Sequence, residues 1–155
     1  MSILITADTT CIIQGITGRE AVSMTRECLD YGTRIVGGVT PGRGGRDVHG
    51  VPVYDTVEEV AKKTRVDASV ISVPPAFARD AAFEAIEAGV KLLVIVTENI
   101  PRFEVAQMVE LAELRGARII GPNCLGVLPP GEAKIGGLGG RPVDARKGLT
   151  PGRSA

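Results

Sequence analysis

Five times along the chain a short run of aliphatic residues stops at glycine, threonine or proline, and most of these stops open a segment with apolar positions every three to four residues. Thr10-Cys11-Ile12-Ile13-Gln14 is the first run. Ala21, Val22, Thr25, Cys28 and Leu29 then fall at helical spacing and predict a helix over 20–31, closed by Gly32. Residues 34–39 predict a second strand, which the glycine- and proline-rich loop from Thr40 to Arg46 breaks. Residues 51–54 read as short and extended. Thr56-Val57-Glu58-Glu59 has the form of a capping box and opens a helix to about Lys63. Residues 68–73 predict a third strand, ended by Pro74-Pro75, with a helix over 77–88 and a stop at Gly89. A strand over 91–96, the loop Thr97 to Pro101, a helix over 102–115 and a last strand over 118–120 complete the pattern.

Runs that are apolar on both faces and alternate with helices imply a parallel sheet covered on both sides. The expected fold is therefore an α/β, Rossmann-like doubly wound parallel sheet of about five strands, forming one domain over 1–130. Residues 131–155 are rich in glycine and proline and predict an irregular, poorly ordered tail. Right-handed crossovers place the loops at Gly15, Thr40, Pro74, Thr97 and Gly121 along the carboxyl edge, where such sheets take ligands.

Composition narrows the function. The 155 residues suit one domain with a real core, and 44% are apolar. Lys and Arg balance Asp and Glu at 18 each, and aromatics are only 3%, so neither the charge nor the stacking groups of a nucleic-acid binder are present. Cys11, Cys28 and Cys124 are odd in number and lack a C-x-x-C, which argues against a disulfide framework or zinc site and for a reducing cytoplasm. Met1-Ser2-Ile3-Leu4-Ile5 is too short for a signal sequence, and no apolar run approaches the roughly 20 residues of a membrane span.

The candidate chemistry begins at Gln14-Gly15-Ile16-Thr17-Gly18-Arg19, where strand hands over to helix. The unpaired N–H groups and positive dipole end of such a helix attract an anion, here a nucleotide-type phosphate near Thr17, Gly18 and Arg19. The match to G-x-G-x-x-G is loose, since Thr17 and Glu20 stand where glycine or a small residue is wanted, and a plain turn is the alternative. The end of the second strand carries no carboxylate for ribose hydroxyls. This disfavours NAD and favours a phosphorylated ribose, which Arg43 could meet at roughly 1.5–3 kcal/mol for a charged hydrogen bond. Coenzyme A and NADP both qualify; Arg43 as a solvated loop cation is the competing reading.

Six stretches together carry a resemblance: residues 14–18, 37–45, 50–53, 73–77, 97–101 and 121–126. They are similar, in order and nearly without gaps from Met1 to about Lys134, to the coenzyme A-binding N-terminal domain of the succinyl-CoA synthetase (succinate-CoA ligase) alpha subunit. The resemblance implies that Thr17, Gly18, Arg19 and Glu20 wrap the CoA phosphates. It implies that Arg43, usually lysine in the family, binds the nucleotide end, and that Val96, Thr97 and Glu98 line the ligand. Gly15, Val73 and Pro74 complete the expected rim. Asn123 and Cys124 match the loop near the pantetheine thiol, although a small buried cysteine explains Cys124 equally well.

The family's subunit continues into a domain with a phosphorylated histidine. This chain has only His49, in a loop unlike that motif, and its end only faintly resembles the start of the second domain, with Pro151 and Gly152 where a core strand should run. Ala21 also replaces a usual glycine. The expectation is a CoA-binding subunit or fragment of a nucleoside-diphosphate-forming acyl-CoA synthetase that is inactive without a β-like ATP-grasp partner. A stand-alone CoA or acyl-CoA module is the alternative. An NADP-dependent oxidoreductase is weaker, because the loops show no acid/base pair.

Overall fold

A computed structural model describes residues 4–151; Met1 to Ile3 and the last four residues of the tail, Gly152 to Ala155, lie outside the described residues. Along the chain run β1 (Thr10–Gln14), α1 (Arg19–Tyr31), β2 (Arg34–Val39), β3 (Asp47–Val48), β4 (Val51–Tyr54), α2 (Val57–Ala61) and β5 (Ala68–Ile71). Then come α3 (Pro75–Glu87), β6 (Leu92–Ile95), α4 (Arg102–Arg115), β7 (Arg118–Ile120), β8 (Gly126–Val127), β9 (Ile135–Gly136) and α5 (Pro142–Gly148).

The main sheet has seven strands in the order β3-β4-β2-β1-β5-β6-β7, all parallel except β3. It is the doubly wound sheet that the pattern predicts, widened at one edge by a hairpin. His49 and Gly50 both have positive φ, 51° and 84°, which turns β3 back onto β4. Histidine stands where the usual turn signal has asparagine or aspartate before glycine, and a two-residue strand is too short to show periodicity.

Consecutive residues of each central strand feed opposite faces. Ile12, Ile71, Leu93 and Ile95 join Val57, Ala82, Ile86 and Met108 in the core under α2, α3 and α4. Cys11, Ile13, Val70 and Val94 join Ala21, Met24 and Cys28 under α1 on the other side. One helix cannot cover that second face of a sheet this wide. Ala133 and Ile135, from the segment expected to be irregular, complete it. The tail keeps its turns and glycines but is anchored: β9 pairs with β8, α5 follows, and Lys134 is fully buried with its ammonium 2.6 Å from the Glu27 carboxylate of α1. Burying Ile135 alone is worth about 1.5–3 kcal/mol, which composition-based reasoning leaves out. Among the described residues, no helix is long and apolar enough to cross a membrane.

Candidate functional site

The chain leaves β1 for β2 on one side and, after β4 and α2, returns to β5 on the other side of β1. Ligands of such sheets bind where the order reverses, outside the carboxyl ends of the two strands. Here those ends carry Gly15 and Ser72-Val73. Gly15 has φ 84°, and a Cβ there would overlap the Ser72 carbonyl oxygen and lie 2.9 Å from Val73 Cγ1. Only glycine allows the two loops to touch. Beneath them, buried Gln14 accepts from Ser69 Oγ at 2.7 Å and donates through Nε2 to the Ala81 carbonyl at 2.9 Å, tying β1 to β5 and α3.

From Gly15 the backbone turns through Gly18, whose N–H donates to the Gly15 carbonyl at 3.0 Å, and enters α1. No side chain caps this helix. Val22 supplies the first intrahelical bond, to the Gly18 carbonyl at 2.9 Å, so the N–H groups of Arg19, Glu20 and Ala21 have no acceptor among the described residues. Three free amides and the positive end of a thirteen-residue helix can take an anion.

Two cavities flank this turn. One, of about 400 Å³, lies between the ends of β1 and β2 and the face of α3, with Gly15, Thr40, Pro41, Val73, Pro74 and Phe77 in its walls. Its far end carries Asp80 and Glu84, the latter accepting from the Val57 N–H at 2.7 Å. The other, of about 420 Å³, runs along α1 and is lined by Arg19, Glu20, Met24, Val96, Leu125 and Gly137 among others.

The structure thus brings Gly15, Val73 and Pro74 together on one side of the turn, and Arg19, Glu20 and Val96 on the other, with Thr17 and Gly18 between them. Thr17 Oγ1 lies 3.2 Å from Thr40 Oγ1, which joins the loops after β1 and β2. Thr97 is nearly buried and spends its hydroxyl on the framework: it accepts from the Val73 N–H at 3.3 Å and donates to the Val73 carbonyl at 2.7 Å. Asn123, at φ 54°, donates its N–H to the Thr97 carbonyl at 3.0 Å, and the Cys124 N–H reaches the Ile95 carbonyl at 3.1 Å. Cys124 Sγ accepts from the Gly126 N–H at 3.3 Å. Glu98, Asn123 and Arg43 are exposed and line neither cavity.

Several lining residues escaped the sequence reading. Asp80, Ala81 and Glu84 belong to a helix with no site role in that reading, Phe77 and Leu125 fall in stretches that carry the resemblance without being named as site residues, and Gly137 and Gly140 come from the tail. Their spacing carries no signal until the sheet is assembled. The other two cysteines offer no chemistry at neutral pH: burial pushes the Cys11 thiol far up and Cys28 up to about 11, so neither is a thiolate nucleophile. No cluster of His, Cys, Asp or Glu able to hold a metal occurs among the described residues.

A doubly wound sheet with an uncapped helix end between two clefts defines a nucleotide-binding domain. The family model described as the CoA binding domain matches residues 6–99, from before β1 through β6, and the chain belongs to that family. It is 49% identical over 138 residues to the ADP-forming succinate–CoA ligase subunit alpha 1 of Archaeoglobus fulgidus, covering 88% of this chain and 47% of that one. It is 51% identical over 134 residues to the corresponding alpha subunit of Methanothermobacter thermautotrophicus, covering 86% and 45%. The chain therefore spans about half the length of the curated relatives it matches. In fold it is similar to Methanosaeta concilii ATP citrate lyase in complex with (3S)-citryl-CoA, with a TM-score of 0.81 at 20% identity over 92% of this chain and 25% of that one. The protein is a CoA-binding domain similar to the succinate–CoA ligase alpha subunit.

Proposed function

We propose that the chain holds coenzyme A across the crest of β1 and β5 and serves as the CoA platform of an acyl-CoA synthetase of the succinate–CoA ligase type. The observation that carries this is the uncapped N-terminus of α1 between two clefts of about 400 and 420 Å³. The free amides of residues 19–21 and the Arg19 guanidinium suit a pyrophosphate. Pro41, Val73, Pro74 and Phe77 give the first cleft an apolar lining suited to a purine, and Val96, Met24 and Leu125 offer an apolar track for the pantetheine arm. Arg43, exposed on the loop after β2, is within this reading the cation for the ribose phosphate.

The rest of the reaction needs groups from elsewhere. The one histidine, His49, sits in a tight hairpin turn with Nε2 3.1 Å from the Val22 carbonyl oxygen and lines neither cleft, so within this reading the phosphoryl carrier is not assigned to it. Phosphoryl transfer and acyl-phosphate formation are assigned to a further domain and to a β-like ATP-grasp partner, within a reducing compartment such as the cytoplasm that keeps the three cysteines free. Calorimetric titration with CoA and with NADP tests the ligand: CoA should bind and NADP should not. Tighter binding of NADP, or no heat with CoA, would refute this assignment. Co-purification with a tagged β-like subunit tests the partner, and its absence would leave a stand-alone CoA module in place of the platform.

A further inference from the structure

The loop after β2 contains three glycines around Arg43, a composition that favours disorder, yet all its amides from Gly42 to Gly45 are taken. Arg43 N–H donates to the Thr40 carbonyl and Gly45 N–H to the Val53 carbonyl, each at 3.0 Å. The other two converge on one atom. Gly42 N–H and Gly44 N–H donate to Asp55 Oδ1 at 2.8 and 3.0 Å, one on either side of Arg43. Asp55 follows β4 and is itself held, its N–H donating to Glu59 Oε2 at 3.2 Å in the first turn of α2. A Cβ at position 44 would lie 2.7 Å from Asp55 Oδ2, so the close seat of the carboxylate requires Gly44. Arg43 itself has no ion pair or side-chain hydrogen bond among the described residues: the backbone around it is pinned and its guanidinium is free.

We infer that Asp55 is a positioning and specificity-determining residue: its carboxylate clamps the backbone on both sides of Arg43 so that the guanidinium is held ready for the phosphate monoester on the ligand's ribose. The inference rests on the reading of Arg43 given above. A carboxylate in this place would otherwise be unfavourable, since it adds negative charge next to an anion subsite. Its two charge-assisted bonds to backbone amides account for its presence. Both bonds use a single oxygen, so asparagine, which keeps an acceptor at Oδ1, can replace it and alanine cannot.

The test is the ratio of dissociation constants for dephospho-CoA and CoA in the whole chain, its Arg43→Ala, Asp55→Ala and Asp55→Asn variants, and the double alanine variant. A charged hydrogen bond sets the wild-type ratio at roughly ten or more. Arg43→Ala should bring it to about one, Asp55→Ala should lower it at least about threefold with dephospho-CoA affinity unchanged, and Asp55→Asn should preserve it. The double variant should match Arg43→Ala alone. Amide exchange at Gly42 and Gly44 should quicken in Asp55→Ala and not in Asp55→Asn. A full ratio in Asp55→Ala, equal weakening of both ligands, or an Asp55→Asn variant as impaired as the alanine would overturn the inference while leaving Arg43 its role. A wild-type ratio of one would instead remove the Arg43 reading, and this inference with it.

Discussion

Lys134 offers a direct measurement of what the tail does for the fold. Its side chain is fully buried, donates to Glu27 Oε2 at 2.6 Å and to the Gly140 carbonyl at 2.5 Å, and bridges the tail to α1. Its own N–H donates to Thr33 Oγ1 at 2.9 Å, and that hydroxyl donates back to the Lys134 carbonyl at 2.5 Å. Replacing Lys134 by methionine keeps an unbranched side chain only one heavy atom shorter and removes the charge. Breaking a fully buried ion pair destabilises by about 3–5 kcal/mol, because the surviving partner is left charged and dry. Here the Glu27 side chain retains 30% of its exposure and can be rehydrated, which reduces the expected loss to about 2–3 kcal/mol. At about 2–4 °C per kcal/mol for a chain of this size, the midpoint of thermal unfolding should fall by about 4–12 °C. Circular dichroism melts and urea titrations of Lys134→Met, Glu27→Leu and the double variant measure it. The double variant should recover much of the loss, since removing both charges leaves nothing unpaired. A melting point for Lys134→Met within a degree of wild type would refute the argument that the buried Lys134–Glu27 pair stabilises the fold.

Three further outcomes follow from the geometry. Gly15→Ala places a Cβ against the Ser72 carbonyl at φ 84°, so it should lose about 2–4 kcal/mol in chemical denaturation and bind no CoA by calorimetry; unchanged stability would contradict the touching loops. Burial by itself would raise the Asp67 pKa, but Thr10 N–H and Oγ1 and the Arg65 guanidinium hold it below its ordinary 3.8. Its contribution is thus fully present above about pH 4 and is lost as pH falls through the lower folded value, so the acid limb of the stability profile should flatten in Asp67→Asn; an identical limb would exclude this group as its source. With a chromogenic disulfide reagent at pH 8, the folded chain should titrate one thiol, the partly exposed Cys124, and all three after denaturation. Rapid reaction of all three in the folded state would contradict the burial of Cys11 and Cys28.

The amino-acid sequence made the strand–helix order legible, because consecutive apolar residues in each central run have to satisfy two faces, and β-branched runs ended by glycine or proline leave little other choice. It also marked the turn at Gly15 to Arg19 and the capping box at Thr56, where Glu59 N–H does donate to Thr56 Oγ1 at 3.2 Å. These are local rules, satisfied within a few residues. The remaining features depend on partners far apart in sequence and become visible once the chain is folded. Thr97 matches a family ligand position, yet its hydroxyl is spent on Val73, 24 residues away. Asp55 reads as an ordinary loop acid until its oxygen is seen between Gly42 and Gly44, and Glu84 and Leu125 become cleft walls only when their elements meet the rim. The tail is the sharpest case. Glycine and proline predict disorder when weighed by conformational entropy alone, but α1 leaves part of the sheet face uncovered, and Ala133, Ile135 and the Lys134–Glu27 pair gain enough by closing it to offset that entropy.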